Sequence, residues 1–230
     1  MRGSDHAHEE ATQMSESEMS KSQARDKCDS VLTARLVFGV ALFALVMVGS
    51  AAVYALSEQL QGKVYQVGEL KPIDSQLKVR GGMKAPDFTL PSISGDNVTL
   101  STFVGKKNVV LTFVPAAWTP VCSDQWPGYN IAKELFEKND AVLLGISVDN
   151  IPTLFAWTKE MGDLWFPVLS DFWPHGAVAK KYGVLRNDGT SERALFVIDK
   201  RGTIRYIDVH DINERPKLDV LIQELEKIKQ

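Results

Sequence analysis

Cysteine is nearly absent from this chain: Cys28 and Cys122 are the only two in 230 residues. That excludes a scaffold held together by disulfides. Histidine is also scarce, and His6, His8, His175 and His210 form no zinc-ligand spacing with the cysteines, so no structural metal is expected. There is no excess of basic charge either. A net charge of −3 lacks the clustered positive surface that nucleic-acid binding uses, so no nucleic-acid partner is expected. Internal repeats are missing, and no low-complexity tract occurs beyond the first residues.

Charge and proline are missing altogether from one stretch, LVFGVALFALVMVGSAAVYAL, Leu36 to Leu56. Its 21 residues, at about 1.5 Å each, cover about 30 Å, the hydrocarbon thickness of a bilayer. A buried core helix rarely lacks a polar face over that length, so residues 36–56 are expected to form a single transmembrane helix in contact with lipid. Lys21, Arg25, Lys27 and Arg35 precede it closely, against Lys63 and Lys71 after it. The positive-inside tendency then places the N-terminus in the cytoplasm and the rest of the chain outside it. Ser50-Ala51-Ala52 offers small residues for cleavage as a signal peptide, but the apolar run exceeds the usual signal core of about 7–15 residues, which favours a retained anchor. Residues 1–35 are polar and without period and read as a disordered tail, whose opening MRGSDHAH is either native or a tag remnant. Cys28 falls on the cytoplasmic side of this arrangement and reads as an ordinary free thiol. Residues 57–80 show no strong periodicity and read as a linker.

Residues 81–230 have the size of one domain. Ala85–Leu90 and Val98–Leu100 read as a hairpin around Ser94-Gly95-Asp96-Asn97. The apolar runs Val109–Val114 and Val142–Val148 read as central strands, and Phe166–Leu169 as a short extended piece. Helices are expected at Pro152–Met161, at His175–Tyr182 ended by Gly183, and at the amphipathic Pro216–Lys229. Leu195–Ile198 and Ile204–Val209 suggest a second hairpin around Asp199-Lys200-Arg201-Gly202. Strand, helix, strand, helix, then hairpin and helix is the order of a thioredoxin-like α/β fold.

The chemistry is expected in FVPAAWTPVC, Phe113 to Cys122. Pro115 stops the preceding strand. Thr119-Pro120 reads as the start of a helix, with Thr119 as its cap and Pro120 at the first helical position, and Pro127-Gly128 is expected to kink or interrupt it before Ile131–Lys138 resumes. Cys122 then lies in the first turn, where free N–H groups and the positive dipole end favour a thiolate.

Pro115, Thr119 and Cys122 also make the spacing PxxxTxxC, and the surrounding residues resemble the peroxiredoxins. LSDFWPHGAVAKKYGV, Leu169 to Val184, is similar to the corresponding segment of one-cysteine peroxiredoxins of the alkyl hydroperoxide reductase E and bacterioferritin-comigratory types. The resemblance covers roughly Lys84 to Gln230. It implies an N-terminal β-hairpin added to the thioredoxin-like fold, and a thiol-dependent peroxidase that needs no cofactor. Cys122 would be the peroxidatic nucleophile. Arg193, in the segment RALFVID before the strand Ala194–Ile198, would join Thr119 in orienting and polarising the peroxide, and Pro115 would shield the site.

The chain departs from the pattern in two places. Many relatives read C-T-x-E where this chain has Cys122-Ser123-Asp124-Gln125, so the carboxylate is replaced by an uncharged amide. The position of a resolving cysteine five residues on is Pro127, and Cys28 lies across the expected membrane. The resemblance therefore implies regeneration by an external thiol, whether thioredoxin, glutaredoxin or a small thiol, and allows a homodimer. Two rivals stay open: a membrane-anchored thioredoxin-like thiol–disulfide oxidoreductase, and a redox-inactive binding module. The first would need C-x-x-C, where this chain has Thr119 at the earlier position; the second predicts an unreactive Cys122. Trp118, Trp126, Trp165 and Trp173 read as core or dimer-contact aromatics, with Trp118 and Trp126 also candidates for shaping peroxide access. His175 reads as a helix cap or structural donor.

Overall fold

The computed structural model of the chain describes Leu60 and residues 62–228. The expected tail, the span Leu36–Leu56 and Cys28 lie outside these residues. No helix among the described residues is long and apolar enough to cross a membrane.

The sheet has five strands in the order β5-β4-β3-β6-β7. These are β3 (Asn108–Phe113), β4 (Ala141–Ser147), β5 (Val168–Ser170), β6 (Arg193–Ile198) and β7 (Ile204–His210); β1 (Thr89–Pro91) and β2 (Asn97–Thr99) form the separate expected hairpin. β4 runs parallel to β3 and β5, while β6 is antiparallel to β3 and β7. The largely apolar run of β3 suits its central place, since every residue in it, the polar Asn108 and Thr112 included, is buried.

Alternation divides the core between the two faces. Val110, Leu143, Leu195 and Val197 face one cluster with Trp126, Trp157 and Leu225. Val109, Leu111, Phe113, Ala194 and Phe196 face the other, with Tyr182 and the hairpin residues Phe88 and Leu90. Each large apolar side chain so enclosed contributes roughly 1.5–3 kcal/mol relative to exposure. The helices are α1 (Pro120–Ile131), α2 (Lys133–Lys138), α3 (Ile151–Met161), α4 (Ala177–Tyr182) and α5 (Leu218–Lys227).

Several boundaries differ from expectation for physical reasons. Pro127 does not interrupt α1; the break comes at Ala132, whose N–H donates to Tyr129 O instead of continuing the α ladder. Trp126, Pro127 and Tyr129 are all buried, so packing holds the helix through the proline despite the missing N–H. Helix α3 is capped by Asn150, which accepts from Thr153 N–H at 3.0 Å. Helix α4 begins after His175, and its first turn is held by Asp171, which accepts from the N–H groups of Val178 and Ala179. His175 instead bonds through its ring Nε2 to Gly189 O at 2.7 Å, a structural contact. Pro216 and Lys217 precede α5, so that helix starts at Leu218, where its apolar pattern begins, rather than at Pro216.

Residues 62–80 carry no helix or strand, yet they lie along the domain as a strap. Lys78 N–H donates to Tyr182 O, and Arg186 Nη2 donates to Lys71 O at 2.9 Å. Asp74 N–H donates to Glu192 Oε1 at 2.6 Å. Gly183 makes room for this path: it takes the left-handed φ of 80°, and a Cβ there would collide with the backbone of Gln76 to Lys78.

Candidate active site

The loop from the end of β3 into α1 is fixed by three polar contacts. Val114 N–H donates to Ile146 O, while Ser191 Oγ donates to Val114 O. Ala117 N–H donates to the Asp149 carboxylate at 2.7 Å. Trp118 takes a left-handed φ of 62°, rare for a bulky residue, and turns the chain toward the helix. Thr119 occupies the N-cap position with extended backbone, as expected, but its side chain does not cap. Its hydroxyl donates back to Ala116 O at 2.9 Å, which leaves the oxygen lone pairs to act as acceptors. The α1 ladder starts with Ser123 N–H donating to Thr119 O, so the N–H groups of Val121 and Cys122 lie in the unpaired first turn.

Cys122 is fully buried at 0 % exposure, and it is the single cysteine among the described residues. Arg193 is the first residue of β6 rather than the one before it, and is only 2 % exposed. The register of β6 beside β3, with Ala194 opposite Phe113, carries Arg193 to the end of β3 where α1 begins. Its Nη2 lies 3.4 Å from Cys122 Sγ and donates to it. The remaining donors go to neutral oxygens. Nη1 donates to Gln125 Oε1 at 2.5 Å, while Nε and Nη2 donate to Ile212 O at 3.2 and 3.1 Å. No carboxylate among the described residues pairs with this guanidinium, although Arg186, Arg201, Arg205 and Arg215 each have one.

A buried cation without an anion is costly. The Cys122 sulfur is the group within hydrogen-bond reach of this cation that is able to carry an opposite charge. Gln125 is locked below the guanidinium, its amide Nε2 donating to Thr112 Oγ1 and to Tyr129 OH at 3.2 and 3.1 Å. Burial pushes the Tyr129 phenol up to about 12, so it is a neutral member of this network at any ordinary pH.

The structure thus brings Pro115, Thr119, Cys122 and Arg193 into one region. Pro115, Thr119 and Arg193 line a cavity of about 570 Å³; the buried Cys122 is not part of its lining and is linked to it through Arg193. Trp118 and Trp126 do not line that cavity. Trp126 is a core residue whose ring stacks at 4.8 Å on Trp157, while Trp165 packs on Phe136 and Trp173 is exposed. The carbonyl of Ile212 and the Asp149 brace were not identified from the sequence. A backbone acceptor leaves no side-chain signature, and an aspartate after a strand is too common to single out.

Comparison with known proteins agrees with this arrangement. Residues 82–207 match the AhpC/TSA family. Alkyl hydroperoxide reductase E of Mycobacterium tuberculosis is 41% identical over 134 residues, 58% of this chain and 87% of that protein. The chloroplastic 2-Cys peroxiredoxin BAS1 of Hordeum vulgare is 34% identical over 157 residues, 64% of this chain and 74% of that protein. Among solved structures, the mitochondrial 2-Cys peroxiredoxin of Plasmodium falciparum superposes with a TM-score of 0.60 at 31% identity, covering 65% of this chain and 94% of that one. Peroxidoxin BcpB of Mycobacterium tuberculosis gives 0.59 at 27% identity, covering 66% and 99%. A thioredoxin-like domain with an added hairpin, a helix-start cysteine and these relatives leave one assignment: the chain belongs to the AhpC/TSA family of peroxiredoxins and is a thiol-dependent peroxidase.

Proposed function

We propose that the chain is a one-cysteine peroxidase in which Cys122 is the peroxidatic nucleophile and an external thiol is the reductant. The observation that carries this reading is the buried Arg193 guanidinium, which donates to Cys122 Sγ at 3.4 Å and has no carboxylate partner among the described residues. Charge-assisted donation stabilises the thiolate, the form that reacts. The sulfur attacks the terminal oxygen of a hydroperoxide, the O–O bond breaks, and the leaving alkoxide or hydroxide takes up a proton. Cys122 becomes a sulfenic acid. One thiol then displaces water to form a mixed disulfide, and a second releases Cys122 as thiolate.

Thr119 and Arg193 act on the peroxide in complementary ways. The Thr119 oxygen, its own proton committed to Ala116 O, accepts from the peroxide O–H. Arg193 and the first-turn N–H groups stabilise charge developing on the oxygens. Pro115 closes the apolar side and limits water. The reductant is thioredoxin, glutaredoxin or a small thiol, since no second cysteine is found among the described residues. Leu36–Leu56 anchors the enzyme in a bilayer with the domain outside the cytoplasm; activity of a cytoplasm-only reporter fused after residue 80 would overturn that orientation.

The chemical test is peroxide treatment of the full chain with sulfenic-acid trapping and mass spectrometry. Adduct is expected at Cys122, lost in Cys122→Ser and reduced at least about tenfold in Arg193→Ala, with a similar direction for Thr119→Val. No adduct, and no peroxide consumption with excess thiol, would defeat the reading.

A further inference from the structure

The cavity lined by Pro115, Thr119 and Arg193 has a further wall that belongs to the strap. Tyr65 to Leu70 line it opposite Pro115, Thr119 and Arg193, and these residues precede the segment 82–207 that matches the family. The strap is clamped at both ends of this passage. Tyr65 N–H donates to Trp118 O at 2.7 Å, next to Thr119. Leu70 N–H donates to Asn213 Oδ1 at 2.9 Å, and Asn213 Nδ2 donates back to Leu70 O at 2.8 Å. One residue before Asn213, Ile212 uses its N–H to hold Pro72 O and its carbonyl to hold Arg193. The wall and the guanidinium are therefore fastened to the same short loop.

The size and chemistry of this half-open space are informative. A cavity of about 570 Å³ far exceeds hydrogen peroxide, which needs roughly the room of two waters, about 60 Å³. Val67, Leu70, Pro120, Val121 and Ile212 give it an apolar lining. Glu69 and Asp188 are also in the lining, and Arg193 is the sole Lys or Arg in it. Burial works to raise the Asp188 carboxyl, but hydrogen bonds from Thr190 and the charge of Arg186 outweigh it and hold it below the usual range. Asp188 is therefore ionised at neutral pH, and Glu69 is the second acidic side chain of the lining.

We propose that the strap, through Val67, Leu70 and Glu69, is a specificity-determining wall that selects uncharged organic hydroperoxides with an apolar body over hydrogen peroxide and over hydroperoxides bearing a carboxylate. This rests on the reading of Cys122 as the peroxidatic residue. The apolar body occupies the space beneath Val67 and Leu70, with the hydroperoxide group toward Arg193. Like charge at Glu69 and Asp188 works against a carboxylate in the same space.

The experiment measures the rate of Cys122 oxidation in the full chain with hydrogen peroxide, cumene hydroperoxide, a fatty-acid hydroperoxide and the methyl ester of that acid. Val67→Ser is expected to lower the cumene-to-hydrogen-peroxide rate ratio about fivefold, less than the tenfold or more of a fully enclosed contact because Val67 is 40 % exposed. Val67→Phe, which fills the cavity, lowers the same ratio. Glu69→Lys is expected to raise the acid-to-ester ratio about threefold, the scale of an exposed charge pair. If wild-type Cys122 is oxidised but these ratios are the same in the variants, the strap has no role in selection and the proposal is overturned. Failure of every peroxide to oxidise wild-type Cys122 is a different result, which removes the peroxidase reading itself.

Discussion

Arg193 brings a positive charge among neutral hydrogen-bond acceptors, and Gln125 is the residue that leaves its Nη1 without a carboxylate partner. A carboxylate at that position would pair with Nη1 and draw the guanidinium's charge away from the sulfur. Gln125→Glu is thus expected to slow alkylation of Cys122 by iodoacetamide at neutral pH by about threefold to tenfold, while Gln125→Met, which adds no charge, has the smaller effect; equal rates in Gln125→Glu and wild type would remove this role. Asp74 offers a second test at the scale of one side chain. Hydrogen bonding from Lys71, supported by Asn187, lowers its carboxyl from 3.8 to about 2. The folded chain prefers the ionised form, so its contribution is complete above about pH 4 and is lost as pH falls through about 2. The Tm difference between wild type and Asp74→Ala, followed by calorimetry, should be largest above pH 4 and should shrink toward pH 2.

At the level of elements, the apolar runs of β3 and β4 and the glycine after α4 were readable because each has a local cause. Val109–Val114 has a single polar side chain, Thr112, and Gly183 must supply a positive φ. What escaped the sequence was decided by contacts between distant segments. Pro127 should break a helix in isolation, but buried neighbours hold it in α1. The cap of α4 comes from Asp171, six residues before the first residue of the helix, where no cap spacing points to it. Asp171→Ala is expected to cost about 1 kcal/mol, the usual worth of such a cap, in urea unfolding. The site shows the same division. Thr119, Cys122 and Pro115 share one turn and were legible together, and Arg193 was reached through family resemblance. The Ile212 carbonyl and the strap wall depend on a backbone path that no local pattern encodes.

For the molecule as a whole, the strap and the sheet are joined through a buried ion pair. Arg186 Nη1 donates to Glu192 Oε2 at 2.6 Å with both side chains almost wholly buried, and the same two residues accept and donate to Asp74 and Lys71. Removing one partner leaves an uncompensated buried charge, so Glu192→Ala should lower unfolding free energy by about 3–5 kcal/mol in urea titration. Release of the strap should accompany it, visible as faster proteolysis between residues 62 and 80. The Ile212 peptide also has a mechanical meaning. Its N–H holds the strap and its carbonyl holds Arg193, so the strap is tied to the residue that positions the guanidinium beside the reactive sulfur. A pull on the N-terminal segment is borne first by the anchors at Lys63 and Tyr65 and then by Leu70 and Pro72, from which Ile212 carries it to the guanidinium.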